Sequence, residues 1–388
     1  MIRRVGVTKY IMLTTIAMAG GRSAAAADWS NSVQAAANAG FVTNPRFEPG
    51  SNQSDQTAQL EFDDTTTAQT ERGQLTITPR LATTRYNHDT DLNIVTGSLD
   101  LAYVEKLERG EWSVEALGLT DSTVTSELGT TGITHVNRRH TAGTVSLGYQ
   151  HFSTERLTWQ VQGSGQLTRY TDAAEFGLTN YDYASLQAGP VWSFSERVQG
   201  SLLLGADHLH PESGIPQSDY SANLQLKRSF SEQYSWRISV GGTRIDYGSG
   251  AGSQSTSVYE IGATRKTERV QWDISVRRAV LPIGIGLLTP ETVATASMSV
   301  ATSERSTLNI TVNGIRTNPV FVPEFIFNFL VYSGATWGQA SAEWKYHFTP
   351  HWALDTAYAY ARARNNDVPD WAYGNQVRLG IVWESGRL

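Results

Sequence analysis

The chain has 388 residues, with 37 acidic against 31 basic side chains, 40% hydrophobic residues and no cysteine. Absent thiols exclude Cys-ligated metals and thiol chemistry, and the acidic balance argues against nucleic acid as a partner. A mean hydropathy of −0.32 is too polar for a bundle of membrane helices, yet it suits a wall in which every second residue meets lipid.

Residues 1–27 read as an export signal. Arg3, Arg4 and Lys9 form a basic start, Tyr10 to Ala19 an apolar run, and Ser23 to Ala27 a small-residue stretch suited to cleavage. Without that segment, 27 basic and 37 acidic residues leave a formal charge of −10. Beyond it no stretch approaches the roughly 18 apolar residues of a spanning helix. Residues 28–71 are rich in Asn, Gln, Thr, Ser and Ala without sustained periodicity. They predict a flexible extension, on the periplasmic side or tucked into the lumen as a plug.

From residue 72 to 388 apolar and polar residues alternate. Strands are predicted near 74–86, 92–105, 112–122, 140–152, 157–170, 182–194, 198–210 and 218–229. They continue near 235–247, 256–266, 270–281, 290–302, 307–317, 335–348, 352–364 and 372–384. The fold class is therefore all-β: a transmembrane, antiparallel, up-and-down β-barrel of about 16 strands, with 14 or 18 also compatible.

A short phrase punctuates the series. It reads FSTERLTW at 152–159, FSERVQG at 194–200, FSEQYSW at 230–236, KTERVQW at 266–272, TSERSTL at 302–308 and FTPHWAL at 348–354. Glu196, Glu232, Glu268 and Glu304 lie 36 residues apart, the length of two strands with one tight turn and one longer loop. Turn chemistry explains the phrase: a Ser or Thr oxygen accepts a local backbone hydrogen bond while Glu and Arg stay solvated.

Alternation assigns the faces. Trp236, Ile238 and Val240 share one face of their strand against Arg237 and Ser239, and Val270, Trp272, Ile274 and Val276 oppose Gln271, Asp273, Ser275 and Arg277. A soluble sandwich gives the same alternation. The signal segment and the clustering of Trp159, Trp192, Trp236, Trp272, Trp344 and Trp352 beside the short turns favour a membrane, where such rings form an interfacial girdle. The polar face supplies the candidate lumen lining: Arg80, Gln225, Lys227, Arg237, Asp273, Arg277, Glu343, Lys345 and Arg378.

The Phe-Ser-Glu-Arg turns, with the run Arg278-Ala-Val-Leu-Pro282-Ile-Gly284-Ile-Gly286-Leu287 and the following Ser303-Glu304-Arg305 turn, resemble a family of uncharacterised outer-membrane β-barrels often linked to exopolysaccharide production and export. The resemblance covers roughly residues 72–388. It implies a bacterial outer-membrane location and a porin-like role, and carries over no catalytic residues. The partners implied are membrane lipid, the outer-membrane assembly machinery, and polysaccharide or export-system proteins.

Two segments stand apart. Asp207-His208-Leu209-His210 puts two imidazoles on one face, an arrangement that serves metal binding or hydrolysis where a third group converges; none is evident, so no catalytic, metal or cofactor site is assigned. Residues 320–332, VFVPEFIFNFLVY, form a greasy loop expected to extend the flanking strands and pack on the outer leaflet or a partner; folding inward is the other reading. Passive passage of small polar solutes or sugars is the leading function. An accessory part in exopolysaccharide export is the alternative, and a surface hydrolase ranks last.

Overall fold

The computed structural model describes residues 27–127, 137–248, 252–321, 330–366 and 369–386. The predicted signal segment therefore lies outside the described residues, apart from Ala27. Strands β1 (Asp28–Thr43), β2 (Ser54–Gln69), β3 (Gly73–Tyr86), β4 (Ile94–Leu107) and β5 (Gly110–Ser122) open the chain. There follow β6 (Arg139–Phe152), β7 (Leu157–Tyr170), β8 (Tyr181–Ser195), β9 (Val198–Pro211), β10 (Gln217–Ser229) and β11 (Tyr234–Asp246). Next come β12 (Ser253–Lys266), β13 (Val270–Ile283), β14 (Leu287–Ser303) and β15 (Ser306–Thr317). After a two-stranded ribbon, β16 (Val320–Phe321) and β17 (Leu330–Tyr332), the chain ends in β18 (Ala335–His347), β19 (Trp352–Asn365) and β20 (Ala372–Glu384).

All strands but the ribbon form one antiparallel sheet of 18. It closes because β1 pairs with β20 from Gln34↔Glu384 to Thr43↔Asn375 while also pairing with β2 along its whole length. Closure removes the free edges that an exposed sheet would offer to other chains. A closed barrel with an apolar outer face, tight turns at one end and longer loops at the other spans a bacterial outer membrane.

The expectation for residues 28–71 is corrected by this closure. They are two wall strands of 16 residues each, neither extension nor plug, and they raise the strand number from 16 to 18. Alanine hid them. The outward positions of β1 include Ala35, Ala37 and Ala39, aligned with Trp383, Ile381 and Leu379 of β20. The seam thus takes its grease from β20, and β1 shows little hydrophobic alternation of its own.

At the tight-turn end each phrase folds as its chemistry requires. Thr154 Oγ1 accepts from the amides of Arg156 (3.2 Å) and Leu157 (3.0 Å), Ser195 Oγ from Arg197 (3.3 Å), and Ser303 Oγ from Arg305 (3.2 Å). Thr267 Oγ1 takes the Val270 amide at 3.0 Å, and Thr349 Oγ1 that of Trp352 at 3.0 Å. These bonds satisfy donors that no ladder reaches at a hairpin tip.

Candidate functional site: the polar inner wall and its loop-end constriction

The ladder registers fix which side chains share a face, because directly opposed residues point the same way. One face carries the exposed apolar side chains, such as Leu60, Leu147, Val161, Leu186, Leu224, Val240, Ile261 and Ile381. The six girdle tryptophans all lie on it, near the tight turns. Trp272 packs edge-on against Tyr234 at 6.4 Å, and Trp344 stacks on Tyr346 at 5.7 Å.

The other face carries all nine candidate lining residues. Its side chains reach partners two strands away, which the converging interior of a closed barrel permits. From β20, Arg378 contacts Glu61 of β2 (3.3 Å), Asp355 of β19 (2.9 Å) and Glu343 of β18 (3.8 Å). Lys345 meets Glu384 at 3.0 Å. Arg237 pairs with Glu260 and lies 3.6 Å from Asp273, which also accepts from Thr264 Oγ1 at 2.6 Å. Arg80 reaches Asp63 only at 4.0 Å. Lys227 and Arg277 are exposed, and Gln225 accepts a 3.3 Å bond from Ser201.

At the loop end the interior fills from one side. Tyr170, Leu178, Tyr181, Leu209, Ile245, Tyr247, Val280, Ile283, Leu288, Val320 and Tyr332 form one buried cluster, contributed by β7, β8, β9, β11, β13 and β14, by the loops holding Leu178 and Tyr247, and by the ribbon. Its centre is the β13–β14 hairpin tip. Gly286 has φ +76°, which glycine adopts without strain, and its amide closes the turn onto the Ile283 carbonyl at 2.9 Å. The Gln217 side chain brackets the tip. Its Nε2 donates to the Gly286 carbonyl (3.0 Å) and its Oε1 accepts from the Leu288 amide (2.9 Å). The Thr179 amide donates to the Gly284 carbonyl at 2.8 Å. Below the tip, Glu127 accepts from the Tyr170 hydroxyl at 2.6 Å and lies so close to Gly284 that a Cβ there would stand 2.6 Å from its Oε2.

The ends of the greasy loop join this cluster: Val320 is wholly buried, and the Tyr332 hydroxyl lies 2.5 Å from Thr317 Oγ1. The preferred outward packing is thus corrected at both ends of the loop, since inward burial hides apolar area that water would otherwise meet. Residues 322–329 lie outside the described residues. At the mouth beside β1, Arg46 contacts Asp91 (2.6 Å) and Asp89 (3.2 Å), and this hydrogen-bonded guanidinium holds the Asp91 carboxyl below the usual carboxylate range.

The Asp207-His208-His210 set is split by strand parity. His208 and His210 stand on the outer face, opposite Ala184 and Asp182, whereas Asp207 faces inward. Sequence reasoning missed Asp219, Tyr183, Glu127 and Gln217, which converge at the constriction. Period-two alternation marks the inward ones as inward, but only the register shows which of them meet.

Fold and wall together define an outer-membrane β-barrel with a polar interior. Several solved barrels are similar to the chain. The FrpB iron transporter of Neisseria meningitidis matches at a TM-score of 0.46 and 8% identity, over 92% of this chain and 82% of that one. OccAB3 of Acinetobacter baumannii matches at 0.43 and 9%, over 93% and 100%. OccK2 of Pseudomonas aeruginosa, solved with glucuronate, matches at 0.44 and 12%, over 92% and 98%. No model of a known protein family matches the chain, and no curated protein matches it.

Proposed function

We propose that this protein is a passive channel admitting small polar solutes across the outer membrane. What carries the reading is the wetted inner wall: Lys227 and Arg277 stay exposed on the interior face of a closed 18-strand barrel. Barrels of 16 to 18 strands are wide enough to hold an aqueous path. Charges of both signs along that wall, between low-dielectric surfaces, would shape the field on a permeating ion. The loop-end cluster narrows the path from one side. An accessory or structural part in exopolysaccharide export rests on the turn and loop phrases alone and is the second reading.

The test is conductance of the purified barrel in planar bilayers. Discrete steps whose selectivity changes when Lys227 or Arg277 is neutralised are expected. A heat-modifiable, inserted barrel that passes neither ions nor small sugars in a vesicle-swelling assay would sink the channel reading in favour of an accessory role.

A further inference from the structure

We infer that the inward carboxylates Asp207 and Asp219, just below the β13–β14 hairpin tip, bind an organic cation: an ammonium or guanidinium group on a permeating solute. The inference rests on the channel reading above and names the solute class for it. Asp207 and Asp219 are direct cross-strand partners on β9 and β10, and like charges so placed repel. Neither flank places a counter-charge opposite them. The opposed residue on β8 is Ser185 and that on β11 is Ile245. Asp219 is 3% exposed; its Oδ2 accepts from Thr243 Oγ1 at 2.8 Å, while its buried Oδ1 has no hydrogen-bond partner. A buried acceptor of this kind calls for a donor.

Access is from the side of Asp207, which is half-buried, with Tyr183 of β8 beside it on the inner face. Tyr183 packs against the cluster that holds Tyr170 and Tyr181, so an incoming cation meets two carboxylates with an aromatic ring at hand. Ammonium and guanidinium groups gain from both. A hard metal ion asks for six or more oxygens, and among the described residues no group of three or more His, Cys, Asp or Glu could hold one. Gln217, two residues from Asp219 on the same face, grips the hairpin tip. The site therefore sits where the path is narrowed, which is where selection is effective.

The experiment titrates agmatine, which carries one guanidinium and one ammonium, into the detergent-folded full barrel by calorimetry. Succinate and calcium serve as comparison probes. Wild type should bind agmatine and neither comparison probe, and Asp207→Asn and Asp219→Asn should each weaken binding about tenfold. Asparagine relieves the repulsion, so folding, checked by heat-shifted migration, should survive; Tyr183→Phe supplies a milder variant. Failure of the wild type to bind agmatine, preference for calcium, or unchanged binding in the double Asn variant would each overturn the site, the last pointing to a pair that merely shares a proton. A barrel that conducts without binding loses this inference and keeps the channel. One that binds but never conducts keeps the site and loses the channel.

Discussion

Opposite sides of the barrel interior are held by different physics. Around Arg378 the wall is polar: one guanidinium holds three carboxylates from β2, β18 and β19, across the seam where the first strand meets the last. Around Leu209 and Ile245 it is mostly apolar, apart from the Asp207–Asp219 pair, and a glycine-containing hairpin leans in to cover it. Directional, distance-sensitive contacts suit the seam, where two chain ends must find one register. Directionless burial suits the mouth, where loops of differing length need only stay out of water. The seam is thus expected to fail all at once and the mouth by degrees.

The largest effect should come from deleting residues 28–69. A plug would leave a barrel that conducts more. Two wall strands leave β3 and β20 with unpaired edges, which lipid cannot satisfy. Complete loss of the heat-modifiable species is expected, and survival of a conducting barrel would contradict the closure described above.

Next in size is Arg378→Met. Arg378 is about three-quarters buried and its partner Asp355 nearly wholly so. Removing one member of such a group leaves carboxylates facing one another at a cost of roughly 3 kcal/mol. Urea unfolding in lipid vesicles reads the loss. Adding Glu61→Gln, Glu343→Gln and Asp355→Asn should restore most of it. If the quadruple variant is no better than the single one, the arginine acts through packing and not through charge.

A smaller effect separates the two faces. Trp236→Ala or Trp272→Ala removes outward ring area near the tight turns and should cost about 2 kcal/mol, against little for Gln225→Ala or Ser275→Ala on the inner face. Comparable losses on both faces in vesicle unfolding would reverse the assignment of inside and outside.

Legibility in the sequence followed the same division between local and distant physics. Sixteen strands were readable within three residues, since alternation and turn chemistry are local. β1 and β2 were not, because Ala35, Ala37 and Ala39 lack apolar contrast and depend on β20 for it. Lumen parity was readable at Arg378; its contact with Glu61, 317 residues away, depends on closure. The run from Arg278 to Leu287 is visible as a motif. Its inward fold had one available signal: so apolar a tip could not comfortably stand in water.

The smallest expected change is at that tip. Gly286 adopts φ +76°, and a Cβ there would stand 3.0 Å from the Pro211 Cβ and 3.1 Å from Thr179 Cγ2. Gly286→Ala should cost about 1 kcal/mol through left-handed strain, with crowding against Pro211 pushing in the same direction. Because the rest of the cluster stays buried, global unfolding should hardly register it. The hairpin should instead swing away from Gln217 more often, so single-channel current should rise or flicker open, while Arg378 variants change stability without that signature. Lowered unfolding stability with unaltered current in Gly286→Ala would mean the tip belongs to the frame of the wall and does not narrow the path.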